Sequence, residues 1–466
     1  MTVHHLRARL AALDTQILQQ RRALDELEQS RSDVERELFA TATYDVLTLP
    51  VEITTEIFLV CHATGPSLLL PHGKHHGTPA PLVLSAVCRG WRTIAHATPA
   101  LWDSFRVDFQ KFTSNTEAAD ILIDSWLARA QPHPLSLELQ CLEVQGSFAS
   151  VKALTHRWSQ QIRSLTLVIL ADVHELGFDL AAFPILESVM LCCATSISPS
   201  IPVGVFQNAP LLHDIQLGWS LYPRQFQFDW EWKRLTKFSG KLDSMELFAL
   251  APALVELTCT FLPALDASLV VTQHLTLESL TVADDDGDES LDVLQYLTLP
   301  ALRRLDIFDS KDNHDSLRLF LARSSPPLIS IIVEMNEVCL DQWRKSLLIV
   351  ASTLERVELH GVHDSDAHQS LTDDFIRPLS DKCLTIQSLT LKSAGECNAD
   401  ILMRLLYALS NRALKSFTFL WDLPPLLEQT AYENEILDTL SGHLCRLSRA
   451  GMDIYFGTED KNYITE

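Results

Sequence analysis

Positive charge is what this sequence has too little of. Its 37 Lys and Arg stand against 60 Asp and Glu, a formal net charge of −23. A surface of that sign repels a phosphate backbone, which excludes nucleic-acid binding and favours basic protein partners. The deficit is uneven. Residues 1–43 hold six Arg and seven acids, and residues 44–110 hold four basic and five acidic groups, leaving 27 basic and 48 acidic groups for the rest. Long apolar runs are missing too, since none nears the roughly 18 residues that a membrane-crossing helix needs. Charges recur through the first forty residues, unlike a secretory signal. The expectation is a soluble protein of the cytoplasm or nucleus, with no membrane partner.

Catalytic signatures are absent as well. There is no GxSxG, no Walker loop, no HExxH and no Rossmann glycine fingerprint. The ten cysteines include no CxxC pair, and Cys88, Cys141, Cys259 and Cys339 lie within apolar runs. That pattern fits reduced, buried thiols rather than a disulfide framework. Cys192 and Cys193 are adjacent, so on a strand they point to opposite faces and share no metal. Two histidine groups have ligand-type residues, HGKHH (72–76) and HGVHDSDAH (360–368), and DDDGDES (284–290) has the composition of a calcium loop but not its ligand register. Solvated loops account for all three. No catalytic residue, no metal and no cofactor is assigned, and the chain is expected not to be an enzyme.

What is present begins with a helix. Neither Gly nor Pro occurs before residue 50. Leu6, Leu10, Leu13, Ile17, Leu24, Leu27, Val34 and Leu38 recur at alternating spacings of three and four, interrupted by Gln20 and Arg31. Such heptads make a two-helix seam. Its partner is either a second copy, through residues 6–38, or the rest of this chain. The first segment is therefore a coiled-coil helix, residues 1–43.

Next come LPVEITTEIFLVC (49–61) and PLVLSAVCRGWRTIAHATPALW (81–102). Pro50 suits a first helical turn, and Ile53, Ile57 and Val60 share a face. Seven Gly and Pro between residues 65 and 81 mark a loop. A second helix is expected to place Leu84, Val87, Cys88, Trp91 and Ile94 on one side, with Pro99 closing it. Each helix carries an apolar stripe with too little local chain to cover it. The order LPxE-x3-IF, VCRxWR, LW resembles the F-box motif, in the version common in mushroom-forming fungi, over about 55 of 466 residues. The resemblance implies a small all-helical domain (44–110) of about three helices that docks a Skp-type adaptor and, through it, a cullin. Carried over position by position, Leu49, Pro50, Ile53, Ile57, Phe58, Val87, Cys88 and Trp91 would form or support the adaptor-binding surface. The long insertion between the helices departs from the family's usual short link.

The remainder, residues 130–466, repeats. The pattern LxxLxL occurs eleven times, starting at residues 162, 186, 212, 235, 254, 277, 302, 328, 354, 386 and 414. A period in the twenties is the signature of a leucine-rich-repeat solenoid, one strand plus one helix per unit. SLRLFLARSS (316–325), DQWRKSLLIVAS (341–352) and ADILMRLLYALSN (399–411) read as inter-strand helices, LSLELQ (135–140) as an opening strand and GMDIYFG (451–457) as a closing one. The weakest copy is Leu235-Phe238-Gly240. The Asn that usually follows the strand is mostly missing, with Asn336 the clear exception. The fold class is thus α/β.

In each unit the residue between the last two apolar positions faces outward. That column, Thr166, Met190, Gln216, Ser239, Thr258, Thr281, Asp306, Ile332, Glu358, Thr390 and Thr418, is the expected surface for a protein substrate. Together these features point to the substrate-recognition subunit of a cullin–RING (SCF-type) ubiquitin ligase. The alternative is a self-associating repeat scaffold with no role in ubiquitylation.

Overall fold

The computed structural model describes residues 3–41, 49–64, 79–109, 116–141, 147–169, 182–193, 203–204, 206, 208–218, 226–227, 232–242, 244–261, 270–283, 293–308, 314–334, 340–362, 385–393, 414–421, 444, 446–449, 451–458 and 461–462. The chain divides into two compact units, Met1–Trp102 and Asp103–Glu466.

The first unit is helical. Helix α1 runs unbroken from Val3 to Thr41 over 39 residues, as a stretch without Gly or Pro allows. Helix α2 (Val51–Thr64) begins where Pro50 offers its carbonyl, which accepts from the Thr54 amide at 3.0 Å and the Thr54 hydroxyl at 3.1 Å. Where one helix was expected, the structure has two, α3 (Ala80–Val87) and α4 (Arg89–His96). Cys88 between them is extended, at φ −155° and ψ 173°, and its sulfur accepts from the Trp91 amide at 3.4 Å, capping α4. The break resets the helical phase. Leu84 is buried, whereas Val87 is 58% exposed, so the two do not share a buried side. Pro99–Leu101 form a 3₁₀ turn rather than a simple stop.

A core closes over these three helices. Phe58, Leu84, Ala95, Leu101 and Trp102 are buried. Trp91 stands edge-on to Phe58 at 5.0 Å between ring centroids. The Trp102 indole N–H donates to the Ala95 carbonyl at 2.8 Å, which satisfies its one donor inside the core.

The second unit is α/β, built on a fifteen-stranded sheet whose strand order follows chain order. Its strands are β1 (Ser104–Asp108), β2 (Leu135–Cys141), β3 (Ile162–Ile169), β4 (Ser188–Cys193), β6 (Asp214–Leu217), β8 (Lys237–Leu242), β9 (Glu256–Phe261), β11 (Ser279–Ala283), β13 (Arg304–Phe308), β14 (Ser330–Glu334), β15 (Arg356–Val362), β16 (Ser388–Ser393), β17 (Ser416–Trp421), β18 (Asp453–Thr458) and β19 (Lys461–Asn462). All pair in parallel except β19, which returns antiparallel to β18. Two short pairs lie apart, β5 (Val203–Gly204) with β7 (Phe226–Gln227) and β10 (Thr272–Gln273) with β12 (Leu297–Thr298). The described helices are α5 (Thr116–Ala130), α6 (Ser147–Trp158), α7 (Glu246–Leu250), α8 (His314–Ser324) and α9 (Leu340–Val350). The helix expected at 399–411 lies outside the described residues. Among the described residues no helix is long and apolar enough to cross a membrane.

The sheet starts earlier than the repeats announce. Ser104–Asp108 was expected within the helical domain, yet it forms β1 and pairs in parallel with β2, so Leu135–Cys141 is the second strand rather than the opening one.

Each LxxLxL copy falls on one strand and the turn before it. All eleven leading residues, from Ile162 to Leu414, are buried. The next two apolar positions alternate inward on the strand, as at Leu165 and Leu167 or Ile331 and Val333. Burying one such side chain stabilises by about 1.5–3 kcal/mol, and in a one-strand unit the cover comes from the neighbouring strands and helices. Gly240 takes the third place in the weakest repeat at φ +156°, and a Cβ there would meet the Cβ of Leu217 at 3.1 Å. A larger residue there is strained by its backbone and must push Leu217 aside.

Hydrogen bonds tie the repeats at the start of each strand. Glu278 and Ser279 both donate their amides to Val255, Arg303 and Arg304 to Glu278, and Ile329 and Ser330 to Arg303. The same two-donor step continues to Glu355 and Gln387. Threonines placed just before a leading residue add a side-chain tie. Thr276 donates to the carbonyl of Leu254 at 3.0 Å, Thr353 to Leu328 at 2.9 Å and Thr385 to Leu354 at 2.7 Å.

Burial raises thiol pKa values in the sheet. Cys259 is buried, and desolvation of its thiolate pushes the pKa up to about 12. The same cause raises that of Cys192. In the native protein at neutral pH, iodoacetamide is expected to modify exposed Cys61 and to spare Cys259 until denaturant is added. Peptide mass mapping reads this directly, and native labelling of Cys259 would contradict its burial.

Candidate functional site: an apolar helical face and the outward face of the sheet

The helical unit presents two apolar surfaces at once, one inward and one outward. On α2, Thr54 and Phe58 point in. Ile53, Ile57 and Val60 lie about a third of a turn away and stay exposed, Ile57 by 43%. On α3, Leu84 and Ser85 point in while Leu82, Val83 and Val87 point out.

The residues expected to form the adaptor surface therefore separate by role. Ile53, Ile57 and Val87 are exposed apolar groups, Pro50 is exposed and Leu49 is half-buried. Phe58 is not at the surface, because its ring is wholly buried against Trp91. Cys88 serves as a helix cap, and Trp91 is half-buried as the packing partner of Phe58. Leu82 and Val83 were missed. Their signal was the density of PLVLSAV (81–87), which has more apolar groups than one buried side can hold. The insertion at 65–78, with HGKHH, lies outside the described residues.

On the sheet, the outward column is in strict register. Glu138 pairs with Thr166, Thr166 with Met190 and Met190 with Gln216. Ser239, Thr258, Thr281, Asp306, Ile332, Glu358, Thr390, Thr418 and Tyr455 follow on successive strands. A second column beside it is rich in serine, with Ser104, Ser136, Ser164 and Ser188 opposite one another.

Charge concentrates between β13 and β15. Asp306 is buried to 4% exposure despite its outward column. Its Oδ2 accepts from Arg304 Nε at 2.9 Å and from the Thr281 hydroxyl at 3.4 Å, while its Oδ1 has no partner among the described residues. His360 Nδ1 stands 3.1 Å from Glu334 and Nε2 2.7 Å from Glu358. Further along, Lys237 and Glu256 pair at 2.7 Å, and that hydrogen bond raises the Lys237 pKa.

No protein-family model and no curated protein matches this chain. Among the described residues, no group of three or more His, Cys, Asp and Glu could hold a metal ion. Residues 363–368 and 284–290, which complete the other two candidate clusters, lie outside the described residues. The two faces differ in chemistry. The helical face offers apolar area, suited to a partner that buries it. The sheet face offers rows of hydroxyls and carboxylates, suited to an extended polar segment.

Proposed function

We propose that this chain is the substrate-recognition subunit of a cullin–RING ubiquitin ligase of the SCF type. The observation that carries the reading is the double-sided apolar character of the helical unit. A small unit that buries Phe58 and Trp102 and still exposes Ile53, Ile57, Val60, Leu82, Val83 and Val87 needs a protein partner to cover that face. The unit carries the letters that resemble an F-box, and the expected partner is a Skp-type adaptor that links it to a cullin.

The sheet unit, read as a degenerate leucine-rich-repeat solenoid, would hold the protein substrate on its outward column, from Thr166 to Thr418. The acidic excess of this part favours a basic substrate segment. In this role the chain performs no bond chemistry. It raises the local concentration of a substrate lysine beside a ubiquitin-loaded enzyme, and the rate gain is one of proximity. Such a subunit would work in the cytoplasm or nucleus.

The full-length chain mixed with a purified Skp-type adaptor is expected to form a complex of micromolar affinity or tighter, measured by titration calorimetry. Absence of binding from a folded chain would remove the ligase reading. A self-associating scaffold would then take its place, a reading favoured by the exposed seam of α1.

A further inference from the structure

The seam of α1 is open along its described length. Leu13, Ile17, Leu24, Leu27 and Val34 are exposed, Leu27 by 69%, and so are Gln20 and Arg31. A stripe of this length is covered in water by another helix. We infer that the cover is α1 of a second copy, running antiparallel, with Gln20 of each copy opposite Arg31 of the other.

The placement of the two polar residues decides the pairing. With Leu10 at heptad position a, Gln20 falls at d and Arg31 at a. They lie equally far from the point between Asp25 and Glu26. In an antiparallel pair, a faces d. Setting Gln20 opposite Arg31 then sets Leu24 opposite Leu27, Ile17 opposite Val34 and, by heptad position, Leu13 opposite Leu38. From position 13 to position 38 every apolar layer meets an apolar layer, and at each end Leu10 falls opposite Thr41. The one polar layer, which occurs twice, pairs a guanidinium with an amide oxygen that can accept from it.

The in-register parallel pair does the opposite. There a faces a, so Arg31 meets Arg31 inside the seam with no counter-charge in the layer, and Gln20 meets itself. Burying two like charges together is costly. The flanking heptad positions are mixed. The antiparallel pair sets Arg21 beside Glu28, attractive, and Asp14 beside Glu35, repulsive. The parallel pair sets Arg9 beside Asp14. Exposed pairs of this kind are weak, so the buried polar layer decides.

The geometry has a consequence for the assembly. At 1.5 Å per residue, the two Thr41 ends leave the shared helix pair about 46 Å apart, rather than side by side. Each copy would present its own helical face at its own end of the rod.

Helix α1 contains no lysine, so a lysine introduced there is chemically unique within it. The test uses the full-length chain with Arg21→Lys or Arg9→Lys, both exposed and conservative, mixed from ¹⁴N and ¹⁵N preparations. Light scattering is expected to give a dimer. In the Arg21→Lys chain, a zero-length carbodiimide is expected to join the introduced amine of one copy to Glu28 of the other. In the Arg9→Lys chain, no inter-copy product between the introduced amine and Asp14 is expected. A monomer, an inter-copy product on Asp14 in the Arg9→Lys chain, or a dimer without the Glu28 product in the Arg21→Lys chain overturns the arrangement. Adaptor binding is read separately, so either result stands without the other.

Discussion

With Ile53→Asp and Ile57→Asp combined, binding to a Skp-type adaptor is expected to fall by about a hundredfold or more while the helical unit stays folded. Both side chains are close to half exposed, so docking would bury the remaining apolar area, and aspartate would bring charges into that dry patch. Full burial of an isoleucine is worth about 1.5–3 kcal/mol, and half of that from each of two residues, with desolvation of the new charges, supplies about 3 kcal/mol. Neither side chain is fully enclosed as Phe58 is. The thermal midpoint should therefore move by only a few degrees in circular dichroism. If calorimetry found adaptor affinity unchanged in the double variant, the α2 stripe would not be the docking surface.

Phe58→Ala should act through stability instead. The ring is wholly buried and meets Trp91 at 5.0 Å, so truncation opens a cavity and removes an edge-on aromatic contact. Phe→Ala in a core costs about 3–5 kcal/mol, comparable with the whole stability of a small unit. Residues 51–64 and 80–101 should lose amide protection in hydrogen exchange, while the strands from Ser104 onward keep theirs. Phe58→Leu, which leaves most of the volume filled, should restore much of the protection. Full protection in Phe58→Ala would show that the ring is not a core element. The two experiments together separate a residue that binds from one that holds the binder in shape, a distinction the motif letters do not make.

Much of the sheet was legible because its information is local. The spacing of Leu305 and Ile307, or of Val357 and Leu359, sets an alternation that only a strand with one buried face satisfies. The outward column followed from the same alternation, so Thr281, Asp306 and Glu358 could be aligned before their strands were known to pair. Strand β1 was not legible. Trp102-Phe105-Val107 has the repeat's spacing, but an aromatic takes the leading place and half of the unit lies in the helical motif, so the strand showed itself only by pairing with β2. The break at Cys88 was hidden for a similar reason. The apolar spacing runs through it without interruption, and the extended backbone there is held by a sulfur cap and by the closing of α3 and α4 on α2.

The face of the helical unit divides the same way. That α2 and α3 carry more apolar groups than one side can bury was readable from LPVEITTEIFLVC and PLVLSAV. Which groups turn inward was not. Phe58 and Ile57 are neighbours of similar hydrophobicity, and the choice between them depends on where Trp91, thirty-odd residues on, places its ring. Asp306 shows the same limit on the sheet, outward by alternation yet buried by its surroundings.

The sequence by itself determined the parts whose cause is periodic: the long α1 seam, the two apolar helical segments and the series of strands with their inward and outward sides. Periodicity needs only neighbours a few residues away. Tertiary structure alone decided which apolar side chains are core and which are surface, where the sheet begins, and which outward carboxylate is enclosed. Exposure is a property of the partners that arrive from distant parts of the chain.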